Sequence, residues 1–120
     1  MGLTHVTVAL KPVGAPGGAY EADFLVDTGA TDTLAPAGAL RAAGFQAVGK
    51  TVYELADGSV VEYEFSLARI EFMGEITSGR VIFGPEQASP LLGVTALESV
   101  GILVDPANKT LKRLPAIPLK

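Results

Sequence analysis

Asp27-Thr28-Gly29 is the tripeptide whose residue types and spacing can do chemistry. It ends an apolar run, Phe24-Leu25-Val26, and is followed by Ala30. A buried strand that finishes on a carboxylate is unusual, because a buried charge is costly unless it is paired or hydrogen-bonded. Thr28 carries a short hydroxyl that can hydrogen-bond locally and fix a turn. Gly29 permits a tight backbone path that a side chain would block. Together they would hold one carboxyl group, a positioned acid or base, at a fixed place on a cleft floor. Taken alone, the same residues read more readily as a turn capped by Asp27 and Thr28.

Other chemistries have little to build with. The chain has no cysteine, which removes disulfides, thiol catalysis and cysteine metal sites. The one histidine, His5, sits in an alternating strand pattern and reads as structural or exposed. Gly14-Ala15-Pro16-Gly17-Gly18 has no helix-opening pattern after it and reads as a hairpin loop rather than a phosphate cradle. The net charge of −4 argues against nucleic acid as a partner, and the basic Lys109, Lys112, Arg113 and Lys120 read as a solvated edge. No apolar run reaches membrane-spanning length and no signal-peptide core opens the chain, so the expectation is a cytoplasmic protein without a membrane partner.

The elements that position Asp27 follow from the alternation. At 120 residues, 48% of them apolar, with 14 glycines and 8 prolines, the chain suits one domain of short strands and turns. His5 to Leu10 alternates and predicts a strand, then a loop over Lys11 to Gly18, then a strand from Ala19 to Val26 that delivers Asp27. Thr31 to Pro36 predicts a short extended segment, and Ala37 to Ala43 a turn or two of helix stopped by Gly44. Val48 to Leu55 and Val60 to Leu67 predict a hairpin with Ala56-Asp57-Gly58-Ser59 at its tip. Glu54, Glu62 and Glu64 make that hairpin polar on one side. Ala68 to Met73 and Ile76 to Phe83 predict another hairpin around Gly74-Glu75, and Gly84 to Pro90 a loop. Leu91-Leu92-Gly93 leads into a helix over Val94 to Val100, with Thr95 as candidate N-cap and Gly101 as stop. A last hairpin spans Ile102 to Leu114. The order of hairpin, apolar turn and helix occurs twice, with an aspartate in the first copy alone.

From about His5 to Leu114 the chain resembles the retroviral-type (retropepsin-like) aspartic proteases of the cellular, prokaryotic kind. Four features carry the likeness in order: Leu25-Val26-Asp27-Thr28-Gly29-Ala30; the flap-like hairpin tipped by Asp57-Gly58; the hairpin from Ile70 to Pro85; and Leu91-Leu92-Gly93 before a short helix. Two positions depart from the retroviral pattern. Thr31 stands where an acidic residue usually follows the motif, and Val94 where an arginine follows the second apolar-apolar-Gly. Those two normally pair, so their joint loss is coherent.

The resemblance implies an all-β acid-protease fold, a closed β-barrel-like structure with one or two short helices, over a single domain of residues 1–120. It implies an aspartic endopeptidase without metal or cofactor. The chemistry needs two carboxyls sharing a proton and this chain supplies one such motif, so it implies a homodimer with Asp27 from each subunit. Thr28 would buttress the pair and Gly29 would let the substrate backbone approach. An extended peptide would lie under the flaps, against Ala30, Asp32, Leu34, the tip residues Ala56, Asp57, Gly58 and Ser59, and Leu91. Asp32 reads equally as a turn cap, and one of Leu91 and Leu92 belongs to the core. The rival is a non-catalytic module of the same fold that holds a peptide or mediates dimerisation.

Overall fold

The computed structural model describes residues 4–14 and 17–119. Ala15 and Pro16 of the expected first loop, and Lys120 of the basic end, lie outside the described residues. The order of elements is β1 (His5–Pro12), β2 (Tyr20–Asp27), β3 (Thr33–Pro36), α1 (Ala37–Ala42), β4 (Gly49–Glu54), β5 (Val60–Phe72), β6 (Glu75–Gly84), β7 (Leu91–Gly93), α2 (Val94–Ser99), β8 (Ile102–Asp105) and β9 (Thr110–Arg113).

Six strands close on themselves. The sheet runs β1-β2-β7-β3-β6-β5, and β1 pairs again with β5 to complete a barrel, with β4 attached outside β5. Closure leaves the six barrel strands no open edge. Alternating residues fill the interior: Val8, Leu10, Phe24, Ile70, Val81 and Leu92 are buried. The two helices add Leu40 and Leu97 to the same core. β8 and β9 pair apart from the barrel. No helix among the described residues is long and apolar enough to cross a membrane.

The structure corrects four expectations. β1 continues through Lys11 and Pro12, because these residues pair with Arg69 and Ala68 of β5. Val60 to Phe72 is one strand rather than two. It contains no glycine, proline, asparagine or aspartate to break it, and its inward positions Ser66, Ala68, Ile70 and Phe72 stay buried in step. The turn after it is Met73-Gly74, one residue earlier than expected. Both residues have positive φ (53° and 76°), and Phe72 faces Glu75, which is the two-residue hairpin geometry that matches strand twist. Finally, Thr95 does not cap α2. Gly93 is the N-cap, with no side-chain cap bond. His5 is exposed on β1, as expected.

Candidate active site

β2 carries the motif from the core to a cavity wall. Phe24 is fully buried, whereas Leu25, Val26 and Asp27 are half-buried as the strand leaves the barrel. The strand lies parallel to β7, with Leu25 opposite Leu91, Val26 opposite Leu92 and Asp27 opposite Gly93. Past Asp27 the chain turns at once. The Ala30 N–H donates to the Asp27 carbonyl (3.1 Å) and the Gly29 N–H to Asp27 Oδ1 (2.9 Å). Oδ2 has no hydrogen-bond partner among the described residues. A Cβ on Gly29 would sit 3.3 Å from Oδ1, crowding the bond that fixes the carboxylate.

The loop after Asp27 is stitched to the start of α2. The Val94 N–H donates to the Ala30 carbonyl (2.8 Å), and the Thr95 N–H (3.3 Å) and Oγ1 (2.8 Å) both donate to the Thr31 carbonyl. The first amides of a helix have no partner inside it, and here the motif loop supplies them. That is why α2 needs no capping side chain and why the Thr95 hydroxyl points elsewhere. Thr31 and Val94, the two departures from the retroviral pattern, lie at this seam, where each bonds through its main chain to a neighbour of the other: Val94 to Ala30, and Thr31 to Thr95. Beneath it, the buried Thr33 accepts the Gly93 N–H at Oγ1 (3.2 Å). Gly93 itself is in close approach: a Cβ there would stand 2.5 Å from the Asp32 carbonyl carbon and 2.7 Å from the Thr31 and Asp32 oxygens.

The cavity, about 530 Å³, has the motif loop on one side and the β4–β5 hairpin on the other. Asp27, Gly29, Ala30, Asp32, Leu34, Ala56 and Leu91, all singled out from the sequence, line it. Thr28, Asp57, Gly58 and Ser59 do not. Thr28 is exposed, and its hydroxyl finds no partner among the described residues. The tip folds on itself: Asp57 Oδ1 accepts both the Ser59 N–H (2.9 Å) and Oγ (2.6 Å). Those bonds hold the Asp57 carboxyl below its ordinary range. Leu91 is half-buried and Leu92 fully buried, one on each side of the strand. Asp32 is no local turn cap. Its Oδ2 accepts the Tyr53 hydroxyl across the cavity (2.8 Å). Of the hairpin's acidic residues, Glu54 lines the cavity, whereas Glu64 pairs with Arg41 (3.1 Å).

Sequence reasoning passed over Thr31, Val52, Tyr53, Leu55, Tyr63 and Ile82 as lining residues. The register places two of them: a loop centred on Asp57 sets Tyr53 opposite Val61 and Thr51 opposite Tyr63, so the two tyrosines are diagonal neighbours on one face, one residue off the register that a tip centred on Asp57-Gly58 predicts. Their rings lie 6.4 Å apart. Burial raises the Tyr53 phenol above its ordinary pKa, and the bond to Asp32 raises it further, against an opposing pull from Arg80. The hydroxyl therefore stays protonated and donating. Among the described residues no group of three or more His, Cys, Asp or Glu side chains is placed to hold a metal ion.

A family model described as aspartyl protease matches residues 13–96. No curated protein matches the sequence. Among solved structures, the chain is similar to the retroviral protease-like domain of Ddi1 from Leishmania major, at 14% identity and a TM-score of 0.53, over 94% of this chain and 90% of that one. It is also similar to a retropepsin-like aspartic protease from Rickettsia conorii, at 22% identity and a TM-score of 0.49, over 89% and 88% of the two chains.

Proposed function

The chain belongs to the aspartyl protease family, in the retropepsin-like fold, and from that premise we propose that it is an aspartic endopeptidase working as a homodimer. The observation that carries this reading is Asp27. It stands half-buried at the cavity wall, with Oδ1 fixed by the Gly29 N–H and Oδ2 left open for a water. Peptide hydrolysis by carboxyls needs a second such group. Asp32, the nearest in sequence on the same wall, is engaged by Tyr53. The second is therefore Asp27 of another copy, across a two-fold axis.

Two carboxyls that close cannot both ionise, so their pKa values split. The ionised member takes a proton from the water between them as the water attacks the scissile carbonyl. The protonated member hydrogen-bonds the carbonyl oxygen and, as the tetrahedral intermediate collapses, passes that same proton to the leaving amine, so the pair keeps one proton throughout. Gly29 leaves room for the substrate backbone, and Thr28, exposed in the single chain, would support the pair in the dimer. An extended peptide would run under the β4–β5 hairpin, against Ala30, Leu34, Ala56 and Leu91. The tip residues Asp57, Gly58 and Ser59, which do not line the cavity of the single chain, would reach it in the dimer. Residues 1–120 would form one catalytic domain, with no metal or cofactor.

The test pairs assembly with chemistry. Wild type and Asp27→Asn are sized by light scattering, then incubated with a diverse peptide library between pH 4 and 7. Two dimers, of which wild type alone cuts, are expected. A dimeric wild type that cuts neither peptides nor unfolded proteins would move the non-catalytic binding or dimerisation module ahead. An Asp27→Asn variant that still cuts would remove Asp27 from the reaction.

A further inference from the structure

The β4–β5 hairpin is anchored at one end only. β5 pairs with β6 from Phe65 onward, but residues 60–64 pair with β4 alone. The arm beyond Phe65 is thus a two-stranded ribbon, marginal by itself in water. At its base Arg80 covers the Phe65 ring at 4.0 Å and donates to Thr51 Oγ1 (2.6 Å). Further out apolar burial offers little: Val52, Leu55 and Val60 are 59%, 44% and 66% exposed. Among the described residues, one side-chain hydrogen bond joins the arm to the segment that carries Asp27. It runs from the Tyr53 hydroxyl to Asp32 Oδ2.

We infer that Tyr53 is a latch: by donating to Asp32 it holds the hairpin shut over the cavity, and a peptide enters when that bond breaks. A bond to a charged acceptor at a half-buried site is strong enough to bias a two-stranded arm. Binding then carries the latch as a tax, since affinity falls with the fraction of molecules that are open. Once open, Asp32 and the phenol recover partners from water, so the open state leaves no polar group stranded. The inference rests on the reading of this cavity as the peptide cleft, but the opening itself is measurable without any cleavage.

The chain has no cysteine, so a single Leu34→Cys substitution places one thiol in the cavity. Its labelling rate by a bulky maleimide reports how often the hairpin lifts. Tyr53→Phe in that background is expected to speed labelling about tenfold. Asp32→Ala should do the same, and the double variant should go no faster, because both remove one bond. Asp32→Asn, whose amide oxygen still accepts but carries no charge, should fall between the parent and Asp32→Ala. With Leu34 restored, Tyr53→Phe should lower KM for cleaved peptides. Unchanged labelling in Tyr53→Phe, additive effects of the two single variants, or a raised KM would overturn the latch. Faster labelling in a protein that cuts nothing would leave the latch standing and count against the hydrolase reading alone.

Discussion

β2 and β7 lie side by side, parallel and in register, and each leads out of the barrel toward a helix. They end differently. β2 finishes on Asp27, and its chain swings through Thr28 to Asp32 before β3 and α1. β7 finishes on Gly93 and enters α2 with no loop at all. The first half presents a functional group, whereas the second presents the absence of a side chain. Gly93 lets β7 press against the Thr31 and Asp32 carbonyl groups, and the first amides of α2 then reach the loop's oxygens. One copy of the repeat has become the support of the other. The retroviral pattern builds that support with an ion pair, and this chain builds it from main-chain bonds and two threonine hydroxyls.

The largest effects separate the halves most sharply. Asp27→Asn is expected to lower peptide cleavage by at least about a hundredfold, the range set by the loss of a positioned acid or base. It should leave stability within about 0.5 kcal/mol, since the amide oxygen can still accept the Gly29 N–H. Denaturant melts beside an activity assay check both. Gly93→Ala should do the reverse. The added methyl meets backbone rather than a flexible side-chain end, and overpacking of that kind costs about 3 kcal/mol. Activity would fall with the folded fraction. If Gly93→Ala melted like wild type, the close approach would be dispensable and the division of labour between the halves would fail.

Thr33→Val sharpens the same comparison from inside the seam. Valine matches threonine in shape but cannot accept the Gly93 N–H, which sits where water does not reach. A stranded buried donor costs about 1–3 kcal/mol. Thr33→Ser keeps the hydroxyl and should recover most of that loss. Equal loss in the two variants would assign Thr33 to packing alone.

Much of this was legible in sequence. The strand alternation, the hairpin tip at Asp57-Gly58 and the apolar approach to Asp27 are local patterns, and local patterns survive in a sequence. The boundaries that failed were set by partners elsewhere. Lys11 and Pro12 look like loop until β5 pairs with them. Thr95 looks like an N-cap until the Thr31 carbonyl, 64 residues earlier, competes for its hydroxyl. Asp32 looks like a turn residue until Tyr53 arrives from the hairpin. The likeness to flaps implies that Asp57 to Ser59 meet substrate; in the single chain none of them lines the cavity, and Asp57 turns its carboxylate to Ser59. In each case the deciding interaction spans a distance in sequence that periodicity does not see, or satisfies a group at shorter range than the one expected.

Thr95→Val is the smallest of these tests and the one that isolates the seam from the strands. Thr95 is exposed, and its hydroxyl and its amide share a single acceptor, the Thr31 carbonyl. Removing the hydroxyl leaves that carbonyl still bound by the amide, so no buried group is stranded. The expected loss is the net worth of one ordinary hydrogen bond, about 1 kcal/mol. The motif loop should feel it more than the fold does, because the hydroxyl bond (2.8 Å) is shorter than the amide bond (3.3 Å) that would remain. Amide exchange at Gly29 and Ala30, whose bonds to Asp27 define the turn, should therefore quicken by more than global unfolding accounts for. If those amides instead tracked the global melt, the loop would owe its shape to its own turn bonds, and β7 and α2 would be neighbours of the site rather than its support.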